Sequence, residues 1–340
     1  MRRIYCHCGL HKTGTTALQS ALFKNKDQLK KNNITYFVTG IPKRHTAHHN
    51  IAWELCNDRR FRGSHGTFSA LISESRSCNG DGIISSEDFE SLLIESSFVT
   101  HLKRLSAEAD CDVSVVCYFR SVDDYLVSIF LQLLKSGRSM TFLSTFKEVL
   151  DVGQISHNEQ KFYFDYKKII ENFNGSGIEL IGRSYDQLTK SSVVDDFFEC
   201  IGIEENTLNL SEFSNVNKRS DLRKNVFLFL KNRNYLNILN RKKIQYAIAL
   251  MCDTGDQPLA LSTYFAELVR EKFKNSQSVI ADLNSAACRT RVKEETNPSI
   301  GILKRKKIDI AKVFSEETEV IVFRLKERIS ILDILFKNPL

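Results

Sequence analysis

The chain has 340 residues, 42% of them hydrophobic and 26% charged, a balance that suits a globular protein with a substantial buried core. A formal net charge of +7 favours anionic ligands such as phosphates, sulfates or acidic glycans, and falls short of the clustered positive face of a dedicated nucleic-acid binder. No window reaches the roughly 18 uninterrupted apolar residues of a membrane span, and "MRR" runs into a strand-like segment without a signal-peptide core, so the sequence predicts a soluble, cytoplasmic protein.

Short apolar runs alternate with helical patterns, which predicts parallel strands joined by helical crossovers. "RIYCHC" (2–8) reads as a first, buried strand. Ala17, Leu18, Ala21, Leu22 and Leu29 then recur at helical spacing until "KKNN" ends the helix. "ITYFV" (34–38), "GIISS" (82–86), "VSVVCYF" (113–119) and "IELIGR" (178–183) follow as strands, with a helix expected around 88–108. "SVVDDFFECIG" (192–202) reads as a short helix closed by Gly202. Beyond residue 220 the pattern is helical, with "DLRKNVFLFLKNRNYLNIL" and "STYFAELVREKF" the best segments. The tail opens with a basic run, Lys304 to Lys307, and ends in a helix that places Leu325, Ile329, Leu332 and Phe336 on one face.

The expected architecture is therefore an α/β fold, a P-loop-type parallel sheet flanked by helices, with a mostly helical C-terminal extension. A break near 215–220 divides it into a core over 1–220 and a helical region over 221–340. The nine cysteines have no zinc spacing, which predicts reduced, packed thiols and no metal site. Cys6 and Cys8 should point to one face of the first strand.

The chemistry concentrates in "GLHKTGTT", Gly9 to Thr16, directly after the first strand. It has a P-loop frame, but Thr15 stands where the usual lysine follows the second glycine, and Lys12 lies inside the loop. A glycine turn between strand and helix aims backbone N–H groups at one point, where the helix dipole adds positive potential. Gly14 lets the backbone approach an anion, and the Thr15 and Thr16 hydroxyls can donate to it.

"HKTGTTALQ" resembles the 5′-phosphosulfate-binding loop of sulfotransferases that use 3′-phosphoadenosine-5′-phosphosulfate (PAPS). The resemblance is closest to bacterial carbohydrate-type members and to the N-sulfotransferase domains of heparan sulfate synthesis. It implies PAPS as sulfuryl donor without a metal, bound through Lys12, Thr13, Gly14, Thr15 and Thr16, with His11 beside the sulfate. In that family the lysine stands where Lys12 stands. A sulfuryl group carries less charge than a transferring phosphoryl group, so one ammonium near the bridging oxygen can stabilise the departing phosphate.

A PAPS enzyme must also grip the 3′-phosphate. The strand "VSVVCYFR" ends in Arg120, Ser121 and Asp124 form an S-x-x-D capping pair, and Ser128 follows on the next helix. An arginine at a strand end and a serine eight residues on, in the next helix, can clamp a phosphate from two sides, and the spacing resembles the family's 3′-phosphate motif, although Val122 stands where many relatives have proline. "LIGRSYDQL" resembles a segment whose tyrosine lies near the adenine, which implies that role for Tyr185. "NVNKRS" (215–220) offers Lys218 and Arg219 as a late basic loop over the 3′-phosphate. The resemblance spans about residues 3–220.

Transfer to a hydroxyl needs a base. Glu87 lies just past a strand end, the side on which ligands collect in open α/β sheets. The segment "RHTAHHNIAWEL" supplies His45, His48 and His49 as competitors, with His48 and His49 the stronger. The expected activity is sulfuryl transfer from PAPS to an acceptor hydroxyl, on a carbohydrate or glycan by resemblance. Two other readings stand beside it. One is a P-loop small-molecule kinase that holds metal through Glu87 or Asp88. The other is a non-catalytic nucleotide-binding module whose basic tail docks peripherally on a membrane or assembly. The sequence leaves acceptor identity and oligomeric state open.

Overall fold

The computed structural model describes residues 2–137, 142–188, 192–203 and 263–285. The chain divides into two units, one of residues 1–130, 140–218 and 265–291, the other of 131–139, 219–264 and 292–340. Most of the second lies outside the described residues, as do the expected boundary at 220, the basic run at 304–307 and the final helix. The description that follows concerns the first unit.

A five-stranded parallel sheet forms its centre. The strands are β1 (Arg3–His7), β2 (Ile34–Tyr36), β3 (Asp81–Ser85), β4 (Asp112–Phe119) and, last in the sheet, Glu179–Ser184. Two further strands, β5 (Gln154–His157) and β6 (Gln160–Tyr163), pair separately as an antiparallel hairpin, so the last sheet strand is β7. The sheet order is β2-β3-β1-β4-β7. His7 at the end of β1 sits opposite Ser85 of β3 on one side and Val116 of β4 on the other. From β1 the chain runs to the edge strand β2, returns to β3 beside β1, then crosses over to β4 on the other side. The gap between β1 and β4 is thus the point where strand order reverses, the place where open α/β sheets bind ligands.

Parallel sheets need helices on both faces, and the strands read as continuous apolar runs for that reason. On one face α1 (Thr15–Lys24) and α9 (Val193–Cys200) pack together. Leu18, Ala21 and Leu22 there meet Val194, Phe197 and Phe198 over Tyr5, Ile83, Val116 and Tyr118 of the sheet. Each such leucine, fully buried, contributes roughly 2 kcal/mol. On the other face Phe119 lies against Tyr166 of α8 (Tyr166–Phe173), ring centres 5.0 Å apart.

The elements between these carry the site. They are α2 (Lys26–Lys31), α3 (His49–Leu55), α4 (Phe68–Arg76), α5 (Ser96–Ala109), α6 (Val122–Lys135) and α7 (Phe142–Val152). Two C-terminal helices, α10 (Thr263–Lys272) and α11 (Lys274–Ser285), follow. Ser276 of α11 accepts the Tyr166 N–H at 2.8 Å and donates to the Phe164 carbonyl at 2.8 Å.

The expected helix over 88–108 is two elements. A 3₁₀ segment, Glu87–Leu92, precedes α5. The Ser86 hydroxyl accepts the Asp88 N–H, and the carboxylates of Asp88 and Glu90 turn inward, a geometry that a continuous amphipathic helix would not provide. The β5–β6 hairpin was not anticipated. Its strands are four residues each, too short and too polar to show an alternation.

Candidate functional site

The loop after β1 takes a path that demands left-handed backbone twice. Gly14 caps α1 at φ 79°, and a Cβ there would lie 2.8 Å from Val193 Cγ1, so both conformation and space require glycine. Lys12 also has positive φ, 69°, and is exposed. Such turns gather successive N–H groups into an anion-binding concavity.

Loop residues divide into two sets. Lys12 and Thr16 are exposed, whereas His11, Thr13, Gly14 and Thr15 are buried. Thr13 donates its hydroxyl to the Leu10 carbonyl at 2.6 Å, so its side chain shapes the loop from within.

The expected sulfate contact of His11 is corrected. Its backbone N–H and its Nδ1 both meet Glu90 Oε2 at 2.8 Å, and its Nε2 lies 3.5 Å from Asp88 Oδ1. Burial alone would lower its pKa, but hydrogen bonds to Asp88 and Glu90 outweigh that and raise it to about 10. His11 is a buried imidazolium pointing away from the anion site into the floor of the loop. The same partnership holds the Asp88 carboxyl well below the usual carboxylate range against the opposing effect of burial, with His49 and Arg60 adding to it.

Glu90 is the fully buried centre of that floor. Besides His11 it accepts the hydroxyl of Tyr125 on α6 and the N–H of Tyr163 on β6 at 3.3 Å. One carboxylate thereby ties the loop to α6, the helix that carries the second half of the site.

That half faces the loop from β4. Arg120 Nη1 donates to Ser128 Oγ at 2.7 Å and to the Lys12 carbonyl at 3.4 Å. Its guanidinium carbon lies 5.6 Å from the Tyr185 ring centre. The Tyr185 ring in turn approaches Gly14, where a Cβ would be 3.5 Å from its Cε2. Asp186 accepts the Ser121 N–H at 2.6 Å and lies 3.8 Å from Arg120 Nε, and Asp124 is 3.9 Å from Nη2. Arg120 Nε is buried and makes no hydrogen bond. The Lys12 backbone, Gly14, Arg120, Ser128 and Tyr185 thus come together from three separate segments of the chain. Lys218 and Arg219 lie outside the described residues.

Across the loop, on the β3 side, stand the acceptor-side candidates. Glu87 is half-buried and accepts the Gln19 amide of α1 at 2.6 Å. His48 is corrected from candidate base to structural residue. It is fully buried, its Nδ1 accepts the Ser85 N–H at 3.1 Å, and its Nε2 donates to the Phe37 carbonyl at 2.9 Å. Burial lowers its pKa to about 4, opposed by the backbone carbonyls of Phe37 and Ser85. Both nitrogens are occupied, so it cannot take a proton from a substrate.

His49, the next residue, lies at the start of α3. Its Nδ1 meets Ser86 Oγ at 2.9 Å, and its ring stacks on Trp53 at 5.7 Å and 15°. His45 is exposed and edges onto both rings, 5.3 Å from His49 and 6.3 Å from Trp53.

Sequence reasoning gave no role to Glu90, Gln19 or Trp53. Only Trp53, the single tryptophan, carried a signal, standing one helical turn beyond His49.

No protein-family model and no curated protein matches the chain. Among solved structures, a sulfotransferase from Alicyclobacillus acidocaldarius aligns over 70% of this chain and 95% of its own, with 15% identity and a TM-score of 0.36. A structure from the PezAT chromosomal toxin–antitoxin system of Streptococcus pneumoniae aligns over 70% of this chain and 88% of its own, with 14% identity and a TM-score of 0.31. Likenesses this distant decide neither family nor function. Among the described residues no helix is long and apolar enough to cross a membrane, and no group of three His, Cys, Asp or Glu side chains is placed to hold a metal ion.

Proposed function

We propose that the protein transfers a sulfuryl group from PAPS to an acceptor hydroxyl, probed first on carbohydrates. One observation carries the reading. Arg120 reaches the donor loop at the Lys12 carbonyl and is gripped by Ser128, yet its buried Nε has no hydrogen-bond partner. Asp186 stands 3.8 Å from that Nε, beyond hydrogen-bond reach, and a phosphate bound beside the loop would give the buried donor the hydrogen bond it lacks. The loop and the arginine together suit a nucleotide that carries phosphate groups at both ends of its ribose, in line with the resemblance of "HKTGTTALQ".

Lys12 and the N–H groups of the loop would hold the 5′ side, Arg120 and Ser128 the 3′-phosphate, and Tyr185 would flank the adenine. Bound there, the donor supplies an activated sulfuryl group whose departure leaves a phosphate. Lys12, exposed in the loop, would stabilise that developing charge, worth on the order of 100-fold or more in rate. The acceptor enters from the β3 side, where Glu87 and His49 are the groups able to receive its proton.

The kinase reading asks Glu87 or Asp88 to hold a metal. Asp88 already takes the Trp53 and Gln160 side chains on its two oxygens, and Glu87 takes Gln19.

The test is binding of 3′-phosphoadenosine-5′-phosphate (PAP) by calorimetry in EDTA, with ATP as competitor. PAP is expected to bind without metal and ATP to bind at least tenfold more weakly. Arg120→Ala should weaken PAP by about 30-fold, equivalent to ~2 kcal/mol for lost charge-assisted hydrogen bonds. Equal affinity for ATP, or an Arg120→Ala protein that binds PAP normally, would sink the reading.

A further inference from the structure

One carboxylate joins the donor loop to the acceptor side. Asp88 is buried, accepts Trp53 Nε1 on Oδ2 at 2.5 Å and accepts the Gln160 amide on Oδ1 at 2.8 Å. Around it stand three basic groups: His11 Nε2 of the donor loop at 3.5 Å, His49 Nδ1 at 3.6 Å and Arg60 Nη1 at 3.6 Å. His49 and Arg60 both lie against the Trp53 ring, with the guanidinium carbon of Arg60 4.8 Å from its centre. Arg60 is fixed in turn by Asp58, whose carboxylate it meets at 2.5 to 3.0 Å. Asp88 is what the members of the stack share.

The His49 ring has two tautomers, and its surroundings choose between them. The Ser86 hydroxyl at 2.9 Å, which already accepts the Asp88 N–H, can accept a second bond from Nδ1–H or donate to a bare Nδ1. The Asp88 carboxylate beyond it accepts only, and its charge favours a proton on the nitrogen that faces it. The polar contacts of His49 among the described residues run through Nδ1. A ring protonated at Nδ1 presents Nε2 as a lone pair.

We propose that Asp88 is the positioning residue of the acceptor side: it fixes His49 in the Nδ1–H form and ties the Trp53 stack to the donor loop through His11, so that His49 Nε2 takes the acceptor's proton. The assignment rests on the sulfuryl-transfer reading. In the step it serves, the bond from sulfur to the acceptor oxygen forms as the bond from sulfur to the 5′-phosphate oxygen breaks. The acceptor proton passes to His49 Nε2, and the electron pair of the broken bond remains on the departing phosphate. Glu87, held by Gln19, is the group this assignment displaces as base.

The deciding measurement is the nitrogen-15 spectrum of histidine-labelled wild-type protein with and without PAP, with His49 assigned by comparison with His49→Gln. The expected result is a neutral ring protonated at Nδ1, and a ring protonated at Nε2 in protein that binds PAP overturns the inference alone. Failure of the wild type to bind PAP removes the donor reading and the inference together. Transfer of sulfur-35 from labelled PAPS to fractionated polysaccharides gives the kinetic arm. His49→Gln should lose roughly 100-fold or more in turnover with PAP affinity unchanged, the loss expected for a missing general base. Asp88→Asn should lower kcat at least tenfold with KM for PAPS within about twofold, and should mix the two tautomers of His49. Trp53→Phe keeps an aromatic ring and removes the N–H to Asp88, so it serves where Asp88→Asn does not fold, with a smaller fall in kcat expected. Full activity in His49→Gln with loss in Glu87→Gln overturns the inference and returns the role to Glu87.

Discussion

The two sides of the loop after β1 treat charge in opposite ways. Above it, Lys12 is exposed and Arg120 keeps a buried Nε without a hydrogen bond. Below it, Glu90 accepts from four donors and Asp88 takes one on each oxygen while three basic groups surround it. Both regions are dense in charge, so density alone does not mark a site. Saturation does. A desolvated charge whose hydrogen-bond partners are all present is part of the scaffold, whereas Arg120, with Asp186 3.8 Å from an Nε that makes no hydrogen bond, has a donor to spare for a ligand.

The largest effect should come from breaking the saturated side. Glu90→Ala would leave the His11 imidazolium with Asp88 alone at 3.5 Å and strand the buried hydroxyl of Tyr125. Removing one partner of a buried ion pair costs about 3–5 kcal/mol, and urea unfolding should show it. The Arg120→Ala change on the open side should cost the unliganded fold far less. If the two variants lose stability equally, the contrast between floor and face is false.

Acid sharpens the same contrast, because the buried histidines are of two kinds. Burial lowers both His7 and His48 to about 4 from an ordinary 6.5, with Glu87 opposing the effect at His7. The unfolded chain therefore binds their protons first. Their contribution is fully present above pH 6.5 and is lost as pH falls through 4, at roughly 3 kcal/mol each. His11 has the opposite sign. Raised to about 10, it stabilises fully below pH 6.5 and its contribution fades as pH climbs through 10. Urea midpoints measured from pH 4 to 10 should pass through a maximum between these limbs. His48→Asn should flatten the acid limb by about one proton, and an unchanged limb would show that His48 does not titrate there.

The sequence made some of this legible and hid the rest for identifiable reasons. β1, β3 and β4 are short apolar runs, and the structure makes each of them a strand of the central sheet. The Arg120–Ser128 spacing could be read because both residues belong to one strand-to-helix turn, and the structure joins them at 2.7 Å. His11 misled because a histidine beside a loop lysine looks like a ligand contact, whereas its partner Glu90 is 79 residues away. His48 and His49 are neighbours in sequence and opposites in environment. The first is sealed between the backbones of Phe37 and Ser85, and the second stacks on Trp53 at the start of α3. Only tertiary packing separates them. Glu87, Asp88 and Glu90 looked like the first turn of an α-helix, but the 3₁₀ path sends the three carboxylates to different partners: Gln19, Trp53 and His11.

The smallest expected effect tests whether the open face extends beyond the phosphates. Tyr185 has a ring that borders Gly14 and lies 5.6 Å from the Arg120 guanidinium carbon, so it already supports the arginine before any nucleotide binds. A cation over an aromatic ring at a partly exposed site contributes about 0.5–1 kcal/mol. Tyr185→Leu should accordingly weaken PAP by roughly 2–5-fold, and Tyr185→Phe by less, because the face of the ring rather than its hydroxyl does the work. Comparison with 3′,5′-bisphosphate ligands that lack the adenine separates the two roles of the ring. If Tyr185→Leu weakens them as much as PAP, the ring acts through Arg120 alone. If only PAP is weakened, the base stacks there and the open face reaches from β1 to β7.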